Sequence, residues 1–230
     1  YGNREYVVNW ENDGFEIKNF RDDNGKVRSR PQNLQYYFKP CITWSDITSA
    51  SFSGRYSEKG FIFDIKGSSG FPDEKILPYV LGFLNSSVSQ KCIKILNPTI
   101  TTQVGDMARI PVIVDEKTKP AIIGIVSSCI SISKSDWDFF ETSWDFSEHP
   151  LVMLVKSLRD VTNVDTSMVY YNGNNTKVRC TLEICYTLWK IECNKRFKQL
   201  KDNEEELNRI FIDLYGLQEE LTPNVEDKDV

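Results

Sequence analysis

Polar and apolar residues follow two different rhythms along this chain, and the change of rhythm falls about a third of the way in. The early segments YVVNW, NLQYYFKPCITWS, ASFSGRY and GFIFDIK are rich in aromatic and β-branched residues and separated by Asp, Asn, Gly and Ser breaks, which predicts strands. In the last of them Phe61, Phe63 and Ile65 alternate with polar neighbours, as one buried face requires. KGSSGFPDE then reads as a turn. Beyond it Ile76, Val80, Phe83, Leu84, Val88, Cys92 and Ile95 recur at steps of three and four, the mark of an amphipathic helix. That helix should stop near Asn97-Pro98, because proline lacks the N–H and its ring clashes with the preceding turn. Met107 to Val114 is expected to return as a strand, followed by the linker DEKTKP.

The second half predicts helices. Ile122 to Cys129 forms one, and a short one should follow with Ser133 as cap and Asp136 three residues on. Trp137, Phe140, Trp144 and Phe146 read as packing rings rather than ligand-stacking ones. Beyond Gly173, Val178, Leu182, Cys185, Trp189 and Cys193 mark a long helix. Asn203 reads as the cap of another, with Glu206 at the third position, an apolar face of Leu207, Ile210, Phe211 and Leu214, and Gly216 as its stop. The two should form an antiparallel hairpin. No internal repeat or low-complexity stretch interrupts the chain.

Composition narrows the class. With 230 residues, 40% hydrophobic and 12% aromatic, the chain can bury a core in one large or two smaller domains. No apolar run approaches the roughly 20 residues of a membrane span, and the start YGNREYVVNWENDG lacks the features of a signal peptide, so a soluble, cytoplasmic protein is expected. The start without Met and the end in EDKDV read as an excised piece. Cysteines 41, 92, 129, 180, 185 and 193 form no tight framework and read as reduced thiols, Cys185 and Cys193 as small core residues. No CxxC pair accompanies the single His149, so no metal is expected. His149, before Pro150, reads as a capping or solvent-facing residue. The sequons at Asn85 and Asn174 carry little weight in a cytoplasmic chain.

Net charge is −5, which disfavours nucleic acid until its distribution is examined. From Lys18 to Lys66 there are nine basic residues against five acidic, a net of +4; from Leu200 to Val230 three basic face ten acidic, a net of −7. A polyanion would be drawn to the first segment and repelled by the last. The acidic segment reads first as a solvated face, with partner docking as the alternative.

Asn97-Pro98 opens like the N-P-P-[YF] catalytic motif of amino-methylating DNA methyltransferases, in which the Asn side chain and a proline-fixed carbonyl hold the target amino group and an aromatic ring stacks on the flipped base. Here Thr99 and Ile100 follow, and no glycine-rich turn for S-adenosylmethionine precedes. The stretch around it has another likeness. LGFLNSSVSQKCIKILNPTITTQVGDMARIPV, Leu81 to Val112, resembles the target-recognition region of large adenine-specific DNA methyltransferases, above all that of bacteriophage-exclusion (BREX) systems, whose members share the succession LGFLNS, LNPT, QVGD, IP. YGNREYVVNWENDG, RSRPQNLQYYFKPCITWS, FSGRYSEKGFIFD, SKSDWDFFETSWDF and NEEELNRIFIDLYGLQEELTP agree, so the likeness runs through nearly the whole chain.

The resemblance implies an α+β fold: a mixed β-sheet target-recognition domain, as in type I specificity subunits and TaqI-like C-terminal specificity domains, then helical segments with a long antiparallel hairpin. Residues 1–115 would form the recognition domain, 116–172 a connector with short helices, and 173–230 the hairpin and acidic tail. The fragment would carry no catalytic residue and bind no cofactor; the parent chain would use S-adenosylmethionine to methylate adenine N6. Gln103, Gly105 and Asp106 would form a scaffold turn, the glycine supplying unusual backbone angles and Asp106 a local hydrogen bond, with a phosphate nest at Gly105 as the weaker alternative.

Partners implied are double-stranded DNA, the parent's N-terminal methyltransferase domain and other phage-defence proteins. DNA-reading candidates then come from the basic region. Arg28 and Arg30 suit guanine or phosphate, and Gln32 and Asn33 have the amide geometry for adenine. Tyr36, Tyr37 and Trp44 could touch backbone or bases, Lys39 and Arg55 supply charge, and Thr43, Ser45, Ser53 and Ser68 are hydroxyls suited to phosphate. Each alone reads as a solvated loop or strand position; the set reads as a DNA surface. Two rivals remain: the recognition part of a type IIG restriction-modification enzyme, and a protein-interaction module that docks through the acidic hairpin.

Overall fold

CITWS, the most apolar of the predicted strands, becomes the centre of a three-stranded sheet. In the computed structural model, which describes residues 6–48, 51–64, 66–162, 169–171, 177–179 and 182–230, β1 (Cys41–Ser45) lies between β2 (Arg55–Ser57) and β3 (Gly67–Gly70). Both pairings are antiparallel, with Ile42 opposite Tyr56 and Gly70, and Trp44 opposite Ser68. The expected mixed sheet is therefore corrected to an antiparallel one among the described residues. Side chains alternate across a strand, so Ile42 and Trp44 share a face, and both are buried. α2 (Leu77–Asn85) lies against β1 and buries Leu77, Tyr79, Leu81, Phe83 and Leu84.

β3 is the GSSG that reads as a turn. Its residues have poor strand propensity, but tertiary packing overrides propensity here. The Trp44 ring lies against Gly70, where a Cβ would stand in ordinary contact at 3.6 Å. GFIFDIK, by contrast, is no strand in its described residues. Phe38 donates to the Phe61 carbonyl (2.8 Å) and Gly60 to that of Phe38 (3.1 Å), while the Phe63 ring packs on Tyr37 and Phe71. Ile65, the third member of the predicted alternation, lies outside the described residues, as do Ser49, Ala50, Gly173, Cys180, the Asn174 sequon and the first five residues. YVVNW is not a strand over its described part, and Tyr6, Val7 and Val8 are exposed. The chain enters instead through α1 (Glu11–Asn19), whose residues Asn12, Asp13 and Gly14 turn left-handed.

The predicted helix after the sheet is present, broken at Ser86 into α2 and α3 (Ser87–Leu96), and it stops at Asn97-Pro98 as expected. The return strand is absent. Val104–Met107 forms the short α4, and Pro111 to Val114 joins no ladder. Pro111 has no N–H to offer a sheet, and that of Ile113 donates to the Tyr215 hydroxyl at 2.8 Å.

Contacts divide the chain into two units: residues 3–85 with 89–112, built on the sheet, and 113–230 with 86–88, built on helices. The helical unit contains α5 (Lys119–Trp137), α6 (Pro150–Thr162), a hairpin of β4 (Val169–Tyr171) and β5 (Lys177–Arg179), and α7 (Leu182–Tyr215). Ser133, expected to cap a short helix, lies inside α5. His149 does cap: its Nδ1 accepts the Leu151 N–H at 3.2 Å, at the start of α6. Trp137 and Phe146 are half-buried, whereas Phe140 and Trp144 are exposed, against the expectation of packing.

The antiparallel hairpin is replaced by one continuous helix. α7 has 34 residues, about 51 Å at 1.5 Å per residue, and contains neither Gly nor Pro. Asn203 and Asn208 explain why a cap-like residue sits mid-helix. Asn203 accepts from Gln199 (2.9 Å) and donates to the Ser128 hydroxyl on α5 (3.2 Å). Asn208 accepts the Ser87 N–H (2.8 Å) and donates to the Pro223 carbonyl (3.1 Å). Both amides are buried, and each donates an N–H to a partner outside α7. Gly216, with φ +68°, ends the helix as the sequence suggested. Cys129 sits near Asn203, and burial pushes its thiol up to about 11. Cys41, Cys92, Cys129, Cys185 and Cys193 carry no disulfide.

Two substitutions test this architecture. Asp202 is exposed within α7, where Asp202→Pro should cost about 3 kcal/mol by breaking a continuous helix; a near-neutral result in a denaturant titration would mean that a turn lies there after all. Phe211 is fully buried, and Phe211→Asp should cost several kcal/mol. An unchanged melting curve would contradict its place in the core.

Candidate nucleic-acid interface

The candidate residues fall into three local settings within the sheet unit. The first is a loop. Arg21 to Arg28 fold into a tight reversal in which the Asp22 carboxylate accepts from the Asn24 and Lys26 N–H groups (3.0 and 2.9 Å) and pairs with Arg28 Nε at 2.8 Å. Arg28 is thus held from behind while remaining exposed. Arg30, Gln32 and Asn33 follow in the same exposed loop, and the side chains of all three are without a partner among the described residues. Asn33 has φ +57°, a left-handed conformation asparagine tolerates, so it also shapes the turn into the short helical Leu34–Tyr36 segment.

The second setting is aromatic. Tyr36 stacks on Phe71 with centroids 4.7 Å apart, and the Lys39 ammonium lies 5.6 Å from the same ring. Tyr37 meets Trp10 and Phe63 edge-on at 5.3 and 5.2 Å. These rings pack around the Leu34–Tyr36 segment that follows the loop. Lys18 reaches the Trp10 ring and pairs with Asp13 at 2.6 Å, which holds that carboxyl below its usual range.

The third setting is the sheet. Thr43 and Arg55 are cross-strand partners, and Ser45 is two residues along, so the three share the face opposite Ile42 and Trp44. Arg55 donates to the Ser45 hydroxyl at 2.9 Å, and the Thr43 hydroxyl donates to the Ser68 carbonyl at 3.1 Å. Ser68 itself is buried on the Trp44 side. Ser53 is exposed beside Phe52. The structure therefore brings Arg28, Arg30, Gln32 and Asn33 together in one loop and Thr43, Ser45 and Arg55 on one face. Ser68 and Trp44 are committed to packing.

Asn97 is chemically full. Its amide donates to the Thr101 carbonyl (2.9 Å) and Asp106 Oδ2 (2.7 Å), and its oxygen accepts from the Thr99 N–H (3.0 Å) and hydroxyl (2.6 Å). Two donors and two lone pairs are all an amide has, so nothing remains to hold a substrate amino group. Asp106 makes the local bond foreseen for it, but Gly105 lies inside α4 and not at a left-handed position, which corrects the expectation of unusual backbone angles there. In the helical unit a cavity of about 310 Å³ is lined by Lys134, Asp138 and Asp145 among others. Its lysine is already neutralised by both carboxylates. Among the described residues no helix is long and apolar enough to cross a membrane, and no cluster of His, Cys, Asp and Glu could hold a metal ion.

No family model matches the chain. It is 41% identical over its full length to an adenine-specific methyltransferase PglX of Lacticaseibacillus casei (strain Zhang), and 31% identical over 98% of its length to an adenine-specific methyltransferase BrxX of Escherichia coli O9:H4 (strain HS). The chain is a homologue of one segment of the PglX/BrxX adenine-specific methyltransferases. It spans 18% and 16% of the length of these two relatives. The likeness to this methyltransferase family read from the sequence is thereby shown, and the residues Asn85, Asn97 and Asp106 within LGFLNS, LNPT and QVGD hold backbone or each other.

The saturation of Asn97 separates scaffold from catalysis. Asn97→Ala should cost about 1–3 kcal/mol by stripping partners from Asp106 and Thr101, seen as a lower melting temperature. A loss of methylation in the parent with unchanged melting would restore a catalytic role. Calorimetry of this chain with S-adenosylmethionine should show no saturable binding; a saturating heat would reveal a site the described residues do not suggest.

Proposed function

We propose that the sheet unit, residues 6–85 with 89–112, reads the sequence of double-stranded DNA for a BREX-type adenine N6 methyltransferase in the cytoplasm. The observation that carries this reading is the loop 28–33. A braced and exposed segment presents Arg30 and Gln32 with no internal partner, beside an Arg28 fixed by Asp22. Unpaired planar donors on a rigid base are what bidentate reading of guanine or adenine edges needs. Arg55, with donors beyond the one given to Ser45, supplies charge from the sheet face.

Transfer of the methyl group from S-adenosylmethionine belongs, in this reading, to the parent's N-terminal methyltransferase domain. A flipped adenine would be held there while the sheet unit fixes register. Docking through the acidic end of α7 is less well supported, because several of its carboxylates are in use. Glu205 accepts the Val225 N–H, Glu206 pairs with Arg209, Asp213 accepts from Gln218, and Asp227 holds Lys201.

In the intact parent, Arg30→Ala or Gln32→Ala should cost about 1–3 kcal/mol on the cognate duplex and relax one position of the methylated site. A purely phosphate-contacting Arg28 or Arg55 would instead lower affinity evenly over all sequences and reduce the log–log salt slope by about one unit. Unchanged binding and methylation pattern in all four variants would sink the proposal.

A further inference from the structure

The first half of α7 carries a second basic surface, which the acidic tally of the tail conceals. Between Lys190 and Lys198 the helix holds Lys190, Lys195, Arg196 and Lys198 against Glu192. Arg196 is spent on packing. Its guanidinium lies 4.8 Å from both the Phe139 and Trp189 rings, beside Asp136 (3.8 Å) and Glu192 (4.0 Å). With Cys185 buried on the same side, these contacts fix which face of α7 looks inward. At 100° per residue the opposite face carries Thr187, Lys190, Ile191, Asn194, Lys195 and Lys198, all exposed.

Every other cation on α7 has a carboxylate nearby. Lys201 is held by Asp227, which raises its ammonium above the usual range, and Arg209 pairs with Glu206. Lys190, Lys195 and Lys198 have no ion pair or hydrogen-bond partner among the described residues. The nearest exposed acids in sequence along that face are Glu183, seven residues before Lys190, and Asp202, four after Lys198. Lys190 and Lys198 stand about 12 Å apart along the axis, which spans roughly three to four base-pair rises of 3.4 Å. Three long, mobile cations on a rigid rod, with the Asn194 amide between them, match a line of phosphates and carry no base-reading geometry.

We propose that this face of α7 binds the phosphodiester backbone of duplex DNA, as a sequence-independent clamp separate from the reading loop of the sheet unit. The inference rests on the reading that the parent acts on DNA. It adds that part of the affinity comes from the helical unit and is the same on every sequence. Alanine is a better helix former than lysine and these positions are exposed, so the substitutions that test it do not threaten the fold.

The test is fluorescence anisotropy of the intact parent with cognate and scrambled duplexes over a range of salt, comparing wild type, the triple variant K190A/K195A/K198A, the charge-keeping K190R/K195R/K198R and, separately, R30A. The alanine triple should lose about tenfold or more on both duplexes, and its log–log salt slope should shrink by up to about three units. The arginine triple should bind like wild type. R30A should lose on the cognate duplex alone. An alanine triple with wild-type affinity and slope overturns the clamp, whether or not R30A is impaired. A triple that weakens binding while R30A does nothing upholds the clamp and removes Arg30 from the reading set. Wild-type enzyme that binds neither duplex overturns both. Unchanged DNA titrations with loss of a protein partner would reassign the lysines to an acidic protein surface and overturn the clamp.

Discussion

Backbone that belongs to no ladder still has to bond its N–H and C=O groups, and in the sheet unit side-chain amides do that work. The sheet is short, and residues 51–54, just before β2, run outside it. Asn85 at the end of α2 meets Gly54 from both sides, accepting its N–H at 2.8 Å and donating to its carbonyl at 3.0 Å. Gln90 on α3 does the same for Phe52, at 3.2 and 2.7 Å. Two helical amides thus imitate a neighbouring strand. They place Gly54 so close to the core that a Cβ would stand 3.3 Å from Ile42 and 3.5 Å from Leu81. Asn97 closes the turn after α3, and Trp44 ties that turn to the sheet through the Thr102 carbonyl at 3.0 Å. None of these bonds involves residues 28–33.

The frame also explains what could be read from the chain and what could not. Apolar spacing located α2, α3 and the apolar start of α5, and the Asn97-Pro98 stop fell where proline chemistry puts it. Gly216 and His149 were likewise legible as local backbone devices. GSSG was not, because its strand state comes from pairing with β1, Thr43 opposite Ser69 and Trp44 opposite Ser68, which has no local signature. The Asn203 cap failed for a related reason: a cap signal describes local hydrogen bonds, and this asparagine makes a tertiary one to Ser128. Hydroxyls named as phosphate contacts divided according to strand parity. Ser45 faces outward, while Ser68, placed opposite Trp44, is buried.

Charge was legible only in bulk. The count over residues 200–230 gives a strongly acidic tail, yet most of those carboxylates are locally engaged, and the unpaired cations of α7 are lysines a few residues earlier. Which charges act at long range depends on which have partners, and pairing is a property of the fold. The same logic singles out Arg30 in the sheet unit and leaves Arg196, wedged between rings, out of any binding role.

In the proposed reading, the segment 6–112, which carries the sheet unit, determines which DNA sequence the parent enzyme methylates. The direct measurement is an exchange of that segment between the parent of this chain and the Escherichia coli relative, followed by methylome sequencing of cells carrying each hybrid. The methylated site should travel with the exchanged segment. A hybrid that is active and keeps the site of the enzyme that supplied the remainder would contradict it.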